Sequence, residues 1–254
     1  DKLEETLVLI YCVFRERRAC TFGRCRRLPG IDGFLFSALW LSVVVSSVLG
    51  EAWAKGSGPT SVALQASAIS MFGGVILSLA YSAVYICRQL CFMVDAYCCT
   101  LVDQNSPQEA AREWNLTQAV VRKVSVSMEY CLLLLCVVLA LLVPMLMVDL
   151  GTLAQHDGSS IALLCPGVAI SCAIFYVLIV ASMVSERCCR VPSLVNAITF
   201  PNGTDRARQQ TVDFVRNTEA GFYVFNMRIT TATAVKLVYV WCIVVVGLLT
   251  KLGS

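Results

Sequence analysis

The stretch MEYCLLLLCVVLALLVPMLMV (Met128–Val148) contains 21 residues and a single charged side chain, Glu129. A helix that crosses the hydrocarbon core of a bilayer needs about 20 apolar residues, so this stretch predicts a membrane-spanning helix. The whole chain has the same character: its 254 residues are 57% hydrophobic and 15% charged, with a mean hydropathy of +0.73. Soluble domains have about 45–50% apolar and about 25% charged residues. The composition therefore predicts an integral membrane protein, and we expect no nucleic-acid partner.

Four further stretches are long and apolar enough to cross a bilayer. The five predicted spans are Phe34–Ala54, Val62–Cys87, Met128–Val148, Ile161–Val184 and Ile229–Leu249. The shorter apolar stretch Leu7–Phe14 is predicted to be an interfacial helix or the end of a lost span, and the start at Asp1 rather than Met suggests a fragment. The predicted fold is all-α, a polytopic transmembrane helical bundle.

Positive charge is distributed unevenly among the segments between the predicted spans. Lys and Arg concentrate in the cytoplasmic loops of membrane proteins. Alternate segments, beginning with residues 1–33, carry 17 Lys and Arg, whereas the other segments carry 2. This asymmetry predicts a cytoplasmic basic segment at residues 1–33, a membrane domain at residues 34–249 and an external C-terminus. We expect the plasma membrane rather than an organelle.

The cytoplasmic connection at residues 88–127 has helical features of its own. Ser106 and Glu109 flank Pro107 in a pattern that resembles a capping box, with Ser106 as the N-cap. Before this point, apolar residues recur with a helical period at Leu90, Val94, Tyr97 and Leu101. We therefore expect the second and third spans to extend into the cytoplasm as amphipathic helices.

The connection at residues 185–228 contains another amphipathic stretch. Val212, Phe214 and Val215 are predicted to lie on one side of a helix that leads into the last span. Together with residues 88–127, this connection predicts a layer of cytoplasmic helices below the membrane.

Cysteine is abundant, with fourteen residues, and none lies in the short outer loops. Disulfides are rare on the cytoplasmic side, so free thiols are expected. Cysteines next to spans are candidates for palmitoylation, and the best placed are Cys98, Cys99, Cys188 and Cys189. The chain has a single histidine, no CxxC pair and no catalytic signature such as HExxH or GxSxG. We therefore expect no metal site, no cofactor and no enzymatic activity.

The last predicted span, within RITTATAVKLVYVWCIVVVGLL (Arg228–Leu249), is polar at its cytoplasmic end and apolar at its outer end. Such a helix can line a conduit in which a hydrated vestibule precedes a hydrophobic constriction that closes by dewetting. The alternative is ordinary packing, with threonines bonded to carbonyls or to neighbouring helices. Lys236 either snorkels to the interface or faces the conduit. One predicted helical face carries Thr230, Thr233, Leu237, Val240, Val244 and Gly247.

Residues Thr211–Leu249 resemble the C-terminal region of the insect gustatory and odorant receptor superfamily and of its gustatory-receptor-like relatives. In that family an amphipathic cytoplasmic helix leads into a small residue and aromatic residues, followed by a final span that begins with Thr-Tyr and continues with aliphatic residues. Gly221 and Phe222 match the small-aromatic element, and Tyr239 lies at about the expected distance beyond it. The chain departs from the pattern at Val238, where threonine is usual.

A second departure lies at Val244 and Val245, where the gustatory signature has Gln-Phe. The resemblance covers about residues 34–249, which would hold the last five of seven family spans, with the same order of crossings. It implies a tetrameric, ligand-gated cation channel with the last helix at the pore and with three helices that extend into a cytoplasmic anchor domain. A ligand pocket is expected among the outer halves of the earlier spans, and its candidate lining residues are Trp40, Phe72, Tyr81 and Tyr176.

Two functions therefore stay open at the level of the sequence. The first is a chemoreceptor-like channel subunit that forms a homotetramer among membrane lipids and binds a small molecule. The second is a non-catalytic accessory or scaffold subunit of a larger membrane complex. A fourfold ring with the fifth span at its axis would favour the channel, whereas a single copy beside unrelated chains would favour the accessory role.

Overall fold

Helices make up nearly all of the described chain. The computed structural model describes residues 28–53, 59–101, 106–155, 161–198, 200, 204–218, 220–224 and 227–252. Its elements in chain order are α1 (Leu28–Trp53), α2 (Pro59–Leu101), α3 (Pro107–Gln155), α4 (Ile161–Ala197), α5 (Asp205–Asn217), β1 (Tyr223–Val224), β2 (Met227–Arg228) and α6 (Thr231–Leu252). The strands form one short antiparallel hairpin. The prediction of an all-α fold is therefore confirmed.

Four helices are long and apolar enough to cross a membrane. These stretches are Gly30–Leu49, Ala66–Leu101, Pro107–Leu146 and Cys165–Ala197, and each overlaps one predicted span. The fifth predicted span corresponds to α6, a helix of 22 residues. Within the described residues its apolar part is shorter, Thr231–Val244. The predicted stretch Leu7–Phe14 and most of the predicted basic segment, residues 1–27, lie outside the described residues.

Contacts divide the chain into two compact units. The first, which we call the span unit, comprises residues 29–84, 131–178 and 234–254. The second, the extension unit, includes residues 85–130 and 179–233. The extension unit contains both connections that the sequence predicts to be cytoplasmic, and helices α2, α3 and α4 each contribute residues to both units.

Aromatic side chains from α2 and α3 form the centre of the extension unit. The rings of Tyr97 and Trp114 lie 5.3 Å apart, and the Tyr97 hydroxyl donates to the Ala110 carbonyl at 3.1 Å. The Glu109 amide donates to the Ser106 hydroxyl at 3.4 Å, as expected for an N-cap ahead of α3. The predicted helical stripe of α2 is confirmed, since all four of its members are fully buried: Leu90, Val94, Tyr97 and Leu101.

Helix α5 packs through a narrower face than the sequence predicts. Its N-cap is Thr204, whose hydroxyl accepts from the Ala207 amide at 3.3 Å. Thr211 and Val215, one turn apart, are buried, whereas Phe214 is exposed. The prediction that Phe214 shares the buried side is therefore wrong, because residues 211 and 215 set the packed face and residue 214 lies about 100° from residue 215.

Candidate functional site

Helix α6 exposes most of its surface. Among its described side chains only Ala234 is buried, and Val238 and Trp241 are half-buried. The Trp241 ring meets Phe175 of α4 edge-on, with ring centroids 5.3 Å apart. These three positions, spaced by four and three residues, form one narrow stripe along the helix. The other described side chains of α6 are exposed, including that of Lys236.

The predicted pore residues divide into two groups. Thr233, Leu237, Val240, Val244 and Gly247 all lie on α6 and are exposed. Thr230 instead precedes the helix, and its hydroxyl accepts from the Thr233 amide at 3.2 Å. Thr230 therefore caps the first turn from the position before the helix. Its hydroxyl is 2.9 Å from that of Thr233, so its place beside Thr233 on the pore face stays a prediction.

The other threonine at the start of α6 contacts α4. The Thr231 hydroxyl donates to the Glu186 carboxylate at 3.3 Å and lies 3.4 Å from the Ser182 hydroxyl. The polar start of the last span thus serves capping and packing, which is the alternative that the sequence left open for these threonines. Thr230 and Thr233, both exposed, and the aliphatic residues above them stay available for a conduit.

Within the span unit, residues of α1 and α2 line an open groove with a volume of 710 Å³. We call it the aromatic groove. The Phe36 ring packs edge-on against Tyr81 with centroids 5.7 Å apart. Trp40 lies over Gly74, where an added Cβ would be 2.9 Å from the indole nitrogen. Ser78 adds a hydroxyl to the lining. The groove is therefore largely apolar, with a few polar atoms at its wall.

Two of the four predicted ligand residues, Trp40 and Tyr81, line the aromatic groove. Tyr176 does not line it, but its ring packs against the lining residue Phe36 with centroids 6.3 Å apart. Phe72 is exposed and does not line the groove, so it is not part of this site. Its position two residues from Gly74 places it on another side of α2.

The predicted orientation would place the groove nearer the cytoplasmic side than the resemblance implies. Under the predicted orientation, Tyr81 is six residues from the inner end of its span at Cys87, and Tyr176 is eight residues from Val184. Both are therefore in the inner halves of their spans, although the resemblance implies a pocket in the outer halves.

Asp32 is a buried carboxylate that the sequence does not predict as a site residue. It is 3% exposed, and its Oδ1 accepts from the Tyr176 hydroxyl at 2.8 Å. The predicted first span begins at Phe34, but α1 begins at Leu28, so Asp32 lies inside the helix. The available signal is the position of Asp32, two residues before the predicted span. A carboxylate that is buried there needs a hydrogen-bond partner, because burial without one is costly.

The cysteines selected for palmitoylation differ in exposure. Cys99 and Cys189 are exposed and Cys98 is half-buried. Cys188 is 3% exposed, so its thiol is the least accessible of the four to acylation, and the palmitoylation of these cysteines stays a prediction. The eleven cysteines in the described part of the chain are all free thiols, and no group of metal-ligating residues occurs among the described residues.

A short segment before α6, residues 220–224, is held by two serines, and we call it the connecting segment. Ser125 of α3 accepts from the Tyr223 amide at 2.8 Å and donates to the Tyr223 carbonyl at 2.6 Å. Ser185 of α4 accepts from the Phe222 amide at 2.9 Å and donates to the Phe222 carbonyl at 3.5 Å. The serines thus supply side-chain partners for these backbone groups, and the Phe222 carbonyl also accepts from the Ile229 amide at 2.9 Å.

The small-aromatic pair of the resemblance lies in the connecting segment. Phe222 is fully buried, and Gly221 lies against Arg228, where an added Cβ would be 2.7 Å from Nε. Arg228 Nη2 donates to the Ala220 carbonyl at 2.7 Å and to the Ser185 carbonyl at 3.2 Å. Any larger residue at position 221 would therefore have to displace the guanidinium group.

Comparison with known proteins adds no relative. No protein-family model matches the chain, and no characterised protein is significantly similar to it in sequence. The resemblance to the gustatory and odorant receptor superfamily therefore stays a prediction, which rests on residues Thr211–Leu249 and on the distribution of positive charge.

Proposed function

We propose that this chain is a subunit of a homotetrameric, chemoreceptor-like, ligand-gated cation channel in which α6 lines the conduit. The observation that carries the proposal is the exposure of α6. Among the described side chains of this 22-residue helix one narrow stripe is packed. The face with Thr233, Leu237, Val240 and Val244, which we call the threonine-to-valine face, is exposed. A helix of this kind needs lipid or further copies of the chain around it.

The face of α6 supports a conduit with a hydrophobic gate. Val240 and Val244 are one turn apart and both exposed, with Thr233 and Leu237 on the side predicted to be cytoplasmic. If four copies bring this face to a common axis, the valines form two stacked apolar rings. A narrow ring of aliphatic side chains excludes water and blocks ions without a plug.

The aromatic groove supports a ligand of small, largely apolar character. Phe36, Trp40 and Tyr81 provide aromatic contact area, and the Ser78 and Tyr81 hydroxyls provide hydrogen-bonding groups. Ligand pockets are usually apolar with a few polar groups that fix orientation. The groove has this composition.

Conductance of the reconstituted protein tests the proposal. Val244→Ser is expected to wet the constriction and to raise the resting conductance of planar bilayers or liposomes. Val246→Ser is the matched control, since Val246 is also exposed but lies about 200° away on the helix. The control is expected to conduct like the wild type.

The particle must also have the corresponding symmetry. Electron microscopy of the purified protein is expected to show a fourfold ring with α6 nearest the axis. Electrical silence of both the wild type and Val244→Ser, together with a particle that lacks rotational symmetry, would replace the channel by the accessory-subunit function.

A further inference from the structure

A polar cavity of 510 Å³ lies in the extension unit, between α3 and the chain that leads out of α5. Its floor includes buried Ser125 and Gly221, and its rim includes exposed Arg122 and Asn217. The cavity is separate from the aromatic groove, which belongs to the span unit, and the proposed channel function does not use it.

The cavity carries one charge of each sign. Arg122 and Glu129 both line it and are seven residues apart on α3, a rise of about 10.5 Å along the helix. No ion pair to Arg122 occurs among the described residues. Glu129 is half-buried, and a carboxylate has about four acceptor sites, so it can accept from a ligand in addition to its contacts within the protein. This arrangement complements a zwitterion.

The surroundings of the cavity indicate a lipid. Glu129 lies at the predicted inner end of the third span, where headgroups are expected. Val126 at the rim is 62% exposed, and Tyr130 beside Glu129 is 75% exposed. Tyrosine is enriched at the membrane interface, where its ring contacts acyl chains and its hydroxyl contacts water or headgroups.

We propose that this cavity binds the headgroup of a phospholipid that carries both a phosphate and a primary ammonium group, as phosphatidylethanolamine does. The phosphate contacts Arg122, whose planar guanidinium group matches phosphate oxygens in a bidentate manner. The ammonium group donates to Glu129. A quaternary ammonium group lacks N–H donors, so phosphatidylcholine binds more weakly.

The bound headgroup also contacts the connecting segment. Gly221 and Tyr223 form part of the cavity wall and belong to the segment that precedes α6. The inference goes beyond the proposed channel, because binding of the lipid requires neither a conduit nor a particular number of subunits. The lipid result and the conductance result are therefore independent.

Native mass spectrometry of the purified full chain tests the proposal. The protein in detergent is mixed with equal amounts of phosphatidylethanolamine, phosphatidylcholine and phosphatidylglycerol, and the retained lipids are counted. Arg122→Gln and Glu129→Gln are the test variants, and Arg112→Gln is the control, an exposed arginine of α3 outside the cavity. Because Arg122 is exposed, we expect its variant to fold.

The wild type and Arg112→Gln are expected to retain phosphatidylethanolamine about tenfold better than phosphatidylcholine, and each test variant is expected to lose about tenfold, the usual effect of one charge-assisted hydrogen bond. Equal retention of the two lipids by the wild type would overturn the proposal. The proposal would also be overturned if phosphatidylglycerol were retained as well as phosphatidylethanolamine and Glu129→Gln left that retention unchanged. Displacement of the lipid by free phosphoethanolamine at equal concentration would overturn the lipid assignment, since a soluble ligand would then fill the cavity.

Discussion

Arg228 is the side chain that ties the connecting segment to α4. Its Nη2 donates to the carbonyls of Ala220 and Ser185 and to Cys189 Sγ, the last at 2.9 Å. Its Nε is buried and has no hydrogen-bond partner among the described residues. All three hydrogen bonds of the guanidinium group thus come from one nitrogen, Nη2. The group fits beside Gly221 because glycine has no side chain there.

Gly221→Ala is expected to destabilise the protein by about 1–3 kcal/mol, because its Cβ would be 2.7 Å from Arg228 Nε and would displace the guanidinium group from its carbonyl acceptors. Thermal unfolding in detergent measures the effect. Gly30→Ala is the control, since a Cβ at Gly30 meets nothing within 4 Å. A midpoint of Gly221→Ala no lower than that of the wild type would show that Arg228 moves aside at no cost.

At the scale of the elements, α3 and α4 supply the partners of the Phe222 and Tyr223 amides in the connecting segment. Ser125 and Ser185 each bond both the amide and the carbonyl of one residue, Tyr223 and Phe222 respectively. The hairpin of β1 and β2 has only two residue pairs, so it provides little support of its own. The two helices therefore fix the path of the chain into α6.

Replacement of these serines is expected to release the segment in a residue-specific manner. Ser185→Ala should speed amide hydrogen exchange at Phe222, and Ser125→Ala should speed it at Tyr223, with a loss of about 1–3 kcal/mol for each unsatisfied buried group. Hydrogen exchange with peptide fragmentation measures both. Ser193→Ala is the control, because that exposed hydroxyl donates only to the local Arg190 carbonyl. Unchanged exchange in both test variants would contradict a supporting role for the serines.

The sequence predicts the helical elements well, and the reason is their period. Apolar residues at positions 90, 94, 97 and 101 recur every three or four residues, and all are buried. The sequence predicts too late a start for the first helix, because Asp32 interrupts the apolar run and its buried partner Tyr176 lies 144 residues away. The capping role of Thr230 is not predicted either, because it depends on the exact residue at which α6 begins.

The candidate sites were less predictable than the helices. The sequence predicts Trp40 and Tyr81 as site residues because they are aromatic residues of the spans. It does not predict Phe36, whose ring contacts both Tyr81 and Tyr176, because these contacts join residues that are distant in the sequence. The burial of Cys188 beside exposed Cys189 depends on which side of α4 is packed, and α4 has a weakly amphipathic sequence. Contacts between distant helices therefore decide these sites, and no local pattern encodes them.

At the scale of the whole molecule, α6 has the smallest share of buried side chains among the described parts of the helices. The most buried of the four candidate spans is Cys165–Ala197 in α4. In its most apolar stretch of 18 residues, 67% of the residues are buried within the chain. Helix α6 buries one described side chain, Ala234, and half-buries two others. A membrane helix with so little contact is held by lipid or by other copies, and the proposed channel requires copies around the threonine-to-valine face.

Lys236 constrains this arrangement, because it is exposed on α6 next to Leu237 of the proposed pore face. Four lysines close to the axis would repel cations, since rings of charge set the selectivity of narrow pores. A cation channel therefore requires Lys236 to point sideways, toward headgroups or an acidic partner. Lys236→Gln is then expected to leave the ratio of cation to anion permeability within about twofold of the wild type, as measured by reversal potentials in asymmetric salt. A large rise in cation preference on removal of the charge would place Lys236 in the conduit, and anion permeation would then be the better proposal.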